Sequence, residues 1–162
     1  MLIIAETSRV SKLAEIEDSV RGSKLIIEDG AFIDSFVKIK FTGGMGDIRI
    51  GKNTFINSGT VIYSGNGVTI GDFVQIAANC TLAPVNHAFQ SKDRLIREQG
   101  FLPSRGGLVI EDDVWIGANC VLLDGAIVRR GAVVGALSLV NRDVAAYSIN
   151  HGAPCQQVGQ RT

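Results

Sequence analysis

Several residue types are scarce in this chain of 162 residues. Two histidines are too few for a metal site built on three imidazoles, so no metal is expected. The cysteines number three, an odd count that does not suggest a disulfide framework. Cys80 and Cys120 read as buried, reduced thiols, and Cys155, near the end, as incidental. Neither charge sign is in excess, with sixteen acidic and sixteen basic residues, which argues against a nucleic-acid-binding surface. No apolar run is long enough to cross a bilayer. Residues 1–4 are too short a stretch for a signal peptide, so a cytoplasmic setting is expected. The length suits one domain, 1–162, with a substantial core.

A six-residue rhythm is present instead. It runs Ile50, Ile56, Ile62, slips by two, and resumes as Ile70, Ile76, Leu82. After a long interruption it returns as Ile110, Ile116, Leu122, Val128, Val134, Val140. Four positions after most of these aliphatics comes a small or β-branched residue, such as Thr54, Cys80, Val114 or Ser138. That period fits neither a 3.6-residue helix nor an unbroken strand alternation. It fits a short strand and a turn, repeated, with one large and one small side chain pointing inward each time. One such turn cannot bury its own aliphatic residue, but stacked turns can, which makes the chain a parallel β-helix. Gly51, Gly71, Gly117 and Gly135 directly follow the large residue and are expected at corners of positive φ.

The rhythm extends back to Val10 with Ala14 and Ile16 with Val20, so opening coils are expected at the N-terminus rather than a helical cap. Residues 41–47 are glycine-rich and read as a bulge or small loop between coils, and 64–67 as a widened corner. Residues 88–107 break the repeat with charges, a proline and a glycine pair. Excursions of that length inside a regular fold are usually functional or disordered. Phe89, Leu95, Ile96, Phe101 and Leu102 favour an arm that packs. Residues 147–162 form a closing segment, with a short turn or helix expected from Pro154 to Gly159.

Residues 110–121 (IEDDVWIGANCV), 133–144 (VVGALSLVNRDV) and the ending 147–158 (YSINHGAPCQQV) resemble the hexapeptide-repeat, left-handed β-helix acetyltransferases. The likeness is nearest to the galactoside, maltose and polysaccharide O-acetyltransferases and the sugar-nucleotide N-acetyltransferases. It implies an all-β triangular prism of three hexads per coil, with one protruding loop and a C-terminal cap. It also implies acetyl-CoA as cosubstrate, a saccharide or other small-molecule acceptor, a place in lipopolysaccharide or polysaccharide biosynthesis, and a homotrimer with active sites between subunits. The γ-type carbonic anhydrases share the prism but need a third histidine. A non-catalytic scaffold on the same fold is the alternative.

Residue by residue, the resemblance makes His87, in its Pro-Val-Asn-His context, the general base; an ordinary surface histidine is the bland alternative. Imidazole suits the role because it takes and returns a proton near neutral pH. By resemblance Asn57 binds the acceptor and Phe55 supplies an apolar wall, although asparagine also tolerates a left-handed corner. Trp115 precedes an inward Ile116 and therefore points outward. The resemblance puts it where coenzyme A meets a neighbouring subunit. Ala118, Ala136 and Asn141 correspond to positions lining the pantetheine channel. Two departures stand out. Leu137 replaces a glycine common in the relatives, and Gln156 and Gln157 stand where Lys or Arg commonly follows. Arg142 and Arg161 are left as candidates for the coenzyme phosphates.

Overall fold

The computed structural model describes residues 1–162 and is a three-sided prism of parallel strands, two or three residues long in most coils. The first face stacks Leu2–Ile4, Leu25–Ile27, Ile48–Ile50, Val68–Ile70, Leu108–Ile110 and Ile127–Val128. The second stacks Arg9–Val10, Phe32–Ile33, Phe55–Ile56, Gln75–Ile76, Trp115–Ile116, Val133–Val134 and Ser148–His151. The third stacks Glu15–Ile16, Lys38–Lys40, Val61–Tyr63, Thr81–Ala83, Val121–Leu123 and Leu139–Val140. Each strand pairs in parallel with its equivalent one coil away, as in Ile76 opposite Ile56 and Ile116. The coils begin at Leu2, earlier than the repeat shows in the sequence.

Every aliphatic of the rhythm from Ile50 to Val140 lies in one core of 29 buried residues, Val10 and Ile16 pack half-buried against it, and Val20 is 92 % exposed and fills no inward slot. Ile33, Ile56, Ile76, Ile116 and Val134 form one column, and Ile39, Ile62, Leu82, Leu122 and Val140 another. Each fully buried large side chain contributes about 1.5–3 kcal/mol relative to exposure. The polar members of the small slots find partners. Thr54 Oγ1 donates to the Gly71 carbonyl at 2.7 Å and accepts from the Val74 amide at 3.0 Å, as a buried hydroxyl requires.

Four expectations need correction. Gly51, Gly71, Gly117 and Gly135 do not have positive φ. They are needed because the next coil passes too close: a Cβ on Gly117 would lie 2.5 Å from the Ala136 nitrogen. The left-handed residues sit two places later, at Asn53, Phe73, Asn79, Asp113, Asn119 and Leu137. Second, the closing segment is no helix: residues 152–155 form a turn, and the chain then continues as a strand instead of ending in that turn. Gln156–Gln160 runs antiparallel to Ser148–His151 and extends the second face. Third, Cys155 is 5 % exposed and joins the core. Finally, Phe101 and Leu102 lie at the arm's foot, but its tip does not pack on its own prism. Phe89, Leu95 and Ile96 are about 60 % exposed, and its one helical turn, Ile96–Gln99, buries nothing. It is braced internally by the Gln99 amide, which bonds to Ser91 and Arg94.

Candidate active site

His87 lies at the corner between the third and first faces, four residues beyond Thr81–Ala83, where the arm departs. Antiparallel bonds close the arm's foot: the Ala88 amide donates to the Gly100 carbonyl at 3.0 Å, and the Leu102 amide to the Asn86 carbonyl at 2.8 Å. This pairing places Phe101 opposite His87, with ring centroids 4.7 Å apart and planes tilted by 38°. A depression of about 250 Å³ opens there, lined by Thr42, Gly43, Tyr63, Ala83, Val85, His87 and Phe101. The imidazole is exposed, and neither ring nitrogen has a hydrogen-bond partner in the chain. Tyr63 was not singled out from sequence. Its signal is the slot after inward Ile62, which puts it beside Ala83 on the outside of the third face.

Asn141 and Arg142 belong to the same corner as His87, further along the stack. The Asn141 Oδ1 is buried and unpartnered, while its backbone carbonyl accepts from the Arg105 guanidinium at 3.4 Å. Arg142 is exposed and forms no ion pair. Ala118 and Ala136 lie at the opposite edge of the third face, in adjacent coils of the corner that also carries Asn57. Leu137, at that corner, has φ 61° and is 72 % exposed. A leucine held in the left-handed region costs about 1–2 kcal/mol, which is unusual for a side chain left mostly exposed. The Asn57 amide donates to the Ile76 carbonyl at 2.7 Å. Its φ is not positive, so the left-handed corner does not explain this asparagine.

Phe55 and Trp115 point outward from the second face, two coils apart with Gln75 between them. Phe55 packs on Phe32 at 5.4 Å between centroids, and Trp115 is 54 % exposed. Arg161 is committed elsewhere, at the corner between the first and second faces. Its guanidinium bonds to Asp113 Oδ2 at 3.0 Å and to the Gly131 carbonyl at 2.8 Å. One chain therefore brings His87, Asn141 and Arg142 to one corner, and Asn57, Ala118 and Ala136 to the next. The width of the third face separates the two groups.

The three thiols are buried inside the prism. Cys80 Sγ contacts the Gly117 carbonyl at 3.2 Å. Its thiol is pushed above the ordinary range, first by its hydrogen bond with Cys120 and then by burial. Burial likewise raises Cys155. No set of three His, Cys, Asp or Glu side chains converges anywhere in the chain. No helix is long and apolar enough to cross a membrane.

Two family profiles match the repeat regions. Residues 107–142 match the bacterial transferase hexapeptide (six repeats), and 47–84 match the hexapeptide repeat of succinyl-transferase. The galactoside O-acetyltransferase of Escherichia coli K12 is 28 % identical over 151 residues, 93 % of this chain and 71 % of that protein. The chain spans smaller shares of other curated relatives, 38 % of one and 52 % of another. Among solved structures, the hexapeptide-repeat containing acetyltransferase VCA0836 of Vibrio cholerae, complexed with acetyl coenzyme A, superposes with a TM-score of 0.72. It is 30 % identical, and the match covers 84 % of this chain and 70 % of that one. AntD, an N-acyltransferase of Bacillus cereus solved with dTDP and 3-hydroxybutyryl-CoA, is 20 % identical and shares the fold, with a TM-score of 0.79 over 97 % of this chain and 81 % of its own. The prism is therefore the left-handed β-helix, and the chain belongs to the hexapeptide-repeat acetyltransferase superfamily.

Proposed function

We propose that this protein transfers acetyl from acetyl-CoA to a hydroxyl or amine of a sugar, sugar nucleotide or polysaccharide precursor, with His87 as general base. One observation carries the reading: an imidazole with both nitrogens free stands in a depression at the foot of a long arm. The acceptor must lose a proton as its oxygen or nitrogen attacks the thioester carbonyl. His87 takes that proton and returns it to the departing thiolate, a contribution of about 10²–10⁴-fold. Transfer is direct within a ternary complex. Every cysteine is buried, so none offers an accessible covalent nucleophile.

Asn141 fits the coenzyme. Its orphaned Oδ1 wants a donor, and a pantetheine amide N–H supplies one. Ala118 and Ala136, small and on a corner, leave room for a narrow chain, with Leu137 beside them and Trp115 on the adjoining face. Arg142 is the free cation available for a phosphate; the engagement of Arg161 with Asp113 weakens its claim. Asn57 and Phe55 hold the acceptor. Asn57 lies across the third face from His87 and Phe55 on the second face, so the working site is assembled from two chains, and a homotrimer closes such a repeated interface. The exposed Phe89, Leu95 and Ile96 of the arm support this reading, because they require a surface that their own prism does not provide. A cytoplasmic setting suits three reduced thiols, and polysaccharide assembly is a fitting consumer of the product.

The test pairs calorimetric titration with acetyl-CoA and a coupled assay of CoA release across a panel of amino and hydroxy sugars. His87→Ala is expected to keep acetyl-CoA affinity and lose about 10²–10⁴-fold in turnover. Turnover close to that of the parent protein would overturn the assignment of the base.

A further inference from the structure

We infer that Tyr63 and Thr42 bind hydroxyls of the acceptor in the depression beside His87, and that the unit held there is a single neutral sugar ring. This deepens the proposed function and rests on its reading that the acceptor meets His87 at this place.

The depression exists because of one small side chain. Lys40, Tyr63, Ala83 and Leu123 follow one another along the outside of the third face. Ala83 leaves the space next to the Tyr63 ring unfilled, four residues before His87. The volume of about 250 Å³ falls just below the roughly 300–1,000 Å³ of pockets for drug-sized ligands, which suits one ring rather than a chain of them. Main-chain bonds join the segments around it. The Gly65 amide donates to the Thr42 carbonyl at 3.0 Å, and the Asn66 amide to the Pro84 carbonyl at 3.0 Å. The buried Asp124 carboxylate ties down the same corner, accepting from the Asn66 side-chain amide at 3.1 Å and from the Arg105 and Gly107 amides at 2.8 and 2.9 Å. Tyr63 and Thr42 therefore stand on backbone that is ordered before a ligand arrives.

Three polar side chains line the depression, His87, Tyr63 and Thr42, and none of them has a side-chain hydrogen bond within the chain. The other side chains there, Ala83, Val85 and Phe101, are apolar. A sugar ring matches such a lining, because it carries hydroxyls on its edge and C–H groups on its faces. Tyrosine and threonine hydroxyls both donate and accept, so either can serve a sugar hydroxyl. No Asp, Glu, Lys or Arg of this chain lines the space, and Lys40, next to Tyr63 in the row, is held by Glu15 and Glu17. An ammonium, carboxylate or phosphate on the bound ring would lose water and meet no opposite charge from this chain.

The test uses the CoA-release assay with methyl glycosides of neutral hexoses, hexosamines and uronic acids. The neutral glycosides should have the highest kcat/KM. Tyr63→Phe and Thr42→Val should each raise the acceptor KM about 5–10-fold, while acetyl-CoA affinity, titrated without acceptor, stays at the parent's value. Monodeoxy analogues of the best acceptor locate the contacts. A hydroxyl whose loss the parent penalises should carry no penalty in the variant that lacks its partner. Ala83→Leu fills the space from the outer surface and should abolish transfer without lowering the thermal midpoint or acetyl-CoA affinity. A preference for hexosamines or uronic acids, deoxy penalties that survive both hydroxyl variants, or undiminished transfer in Ala83→Leu would overturn the inference. Full turnover in His87→Ala would remove the base and leave the hydroxyl contacts standing, because the deoxy series reports them separately. Release of CoA to no sugar at all would overturn both.

Discussion

Gly117→Ala tests why glycine recurs after the large inward residue. The backbone at Gly117 is one any residue can adopt, so no φ strain arises. The cost is steric. The new Cβ would sit 2.5 Å from the Ala136 nitrogen and 2.9 Å from its Cα, and both are main chain of the next coil. Neither can yield without stretching the ladder, where Gly117 donates to Val134 at 2.8 Å and Leu137 to Ala118 at 2.9 Å. Overpacking costs about 1–3 kcal/mol and one weakened ladder bond about 1 kcal/mol more. The expected loss is about 2–4 kcal/mol, which lowers the thermal midpoint by about 5–15 °C for a chain of this length. Thermal and urea unfolding followed by circular dichroism would measure it. Gly117→Asn should be at least as damaging, because asparagine tolerates positive φ but still carries a Cβ. Gly59→Asn is the contrast: φ is 72° there, equivalent coils already place Asn79 and Asn119 at 60° and 58°, and the nearest obstacle is the movable Asn79 side chain. That change should cost no more than about 1 kcal/mol. A Gly117→Ala protein with an unmoved midpoint, or a tolerated Gly117→Asn, would refute the close-approach explanation.

Two further outcomes follow from the interior and the first coils. All three thiols should be silent toward a thiol-specific chromogenic reagent in the native protein and react together in denaturant; one fast-reacting thiol in the folded state would contradict the burial of Cys80, Cys120 and Cys155. Lys40 bonds to Glu17 at 2.6 Å and Glu15 at 2.9 Å. Its hydrogen bond, ahead of that from Lys38, holds the Glu15 carboxyl below its ordinary value of 4.5. A depressed carboxylate stabilises the fold above its unfolded value and ceases to do so as pH falls through the lower folded value. Urea titrations below about pH 4.5 should therefore show the parent losing stability faster than Lys40→Met, with the difference shrinking in about 1 M salt. Parallel slopes would show that the cluster contributes nothing.

The six-residue spacing alone determined the coil, its core and the orientation of Trp115. An inward slot every sixth position is a local property of short strands, whereas the stacking of Ile56, Ile76 and Ile116 depends on three hexads per coil, a number the period does not carry. The foot of the arm was legible from His87 and the interruption after it. Other features depend on distances between coils, which no period encodes. Glycine at 117 reads equally as a φ requirement or as a close approach, and only the neighbouring coil at Ala136 decides between them. The arm's phenylalanine and leucines looked like anchors because apolar residues usually are, yet an isolated prism offers them no groove. Asp124 breaks the hexad pattern visibly, but its partners lie 17 to 58 residues away in sequence. The corners follow from spacing; which side chains meet across them depends on a stacking distance that sequence does not carry.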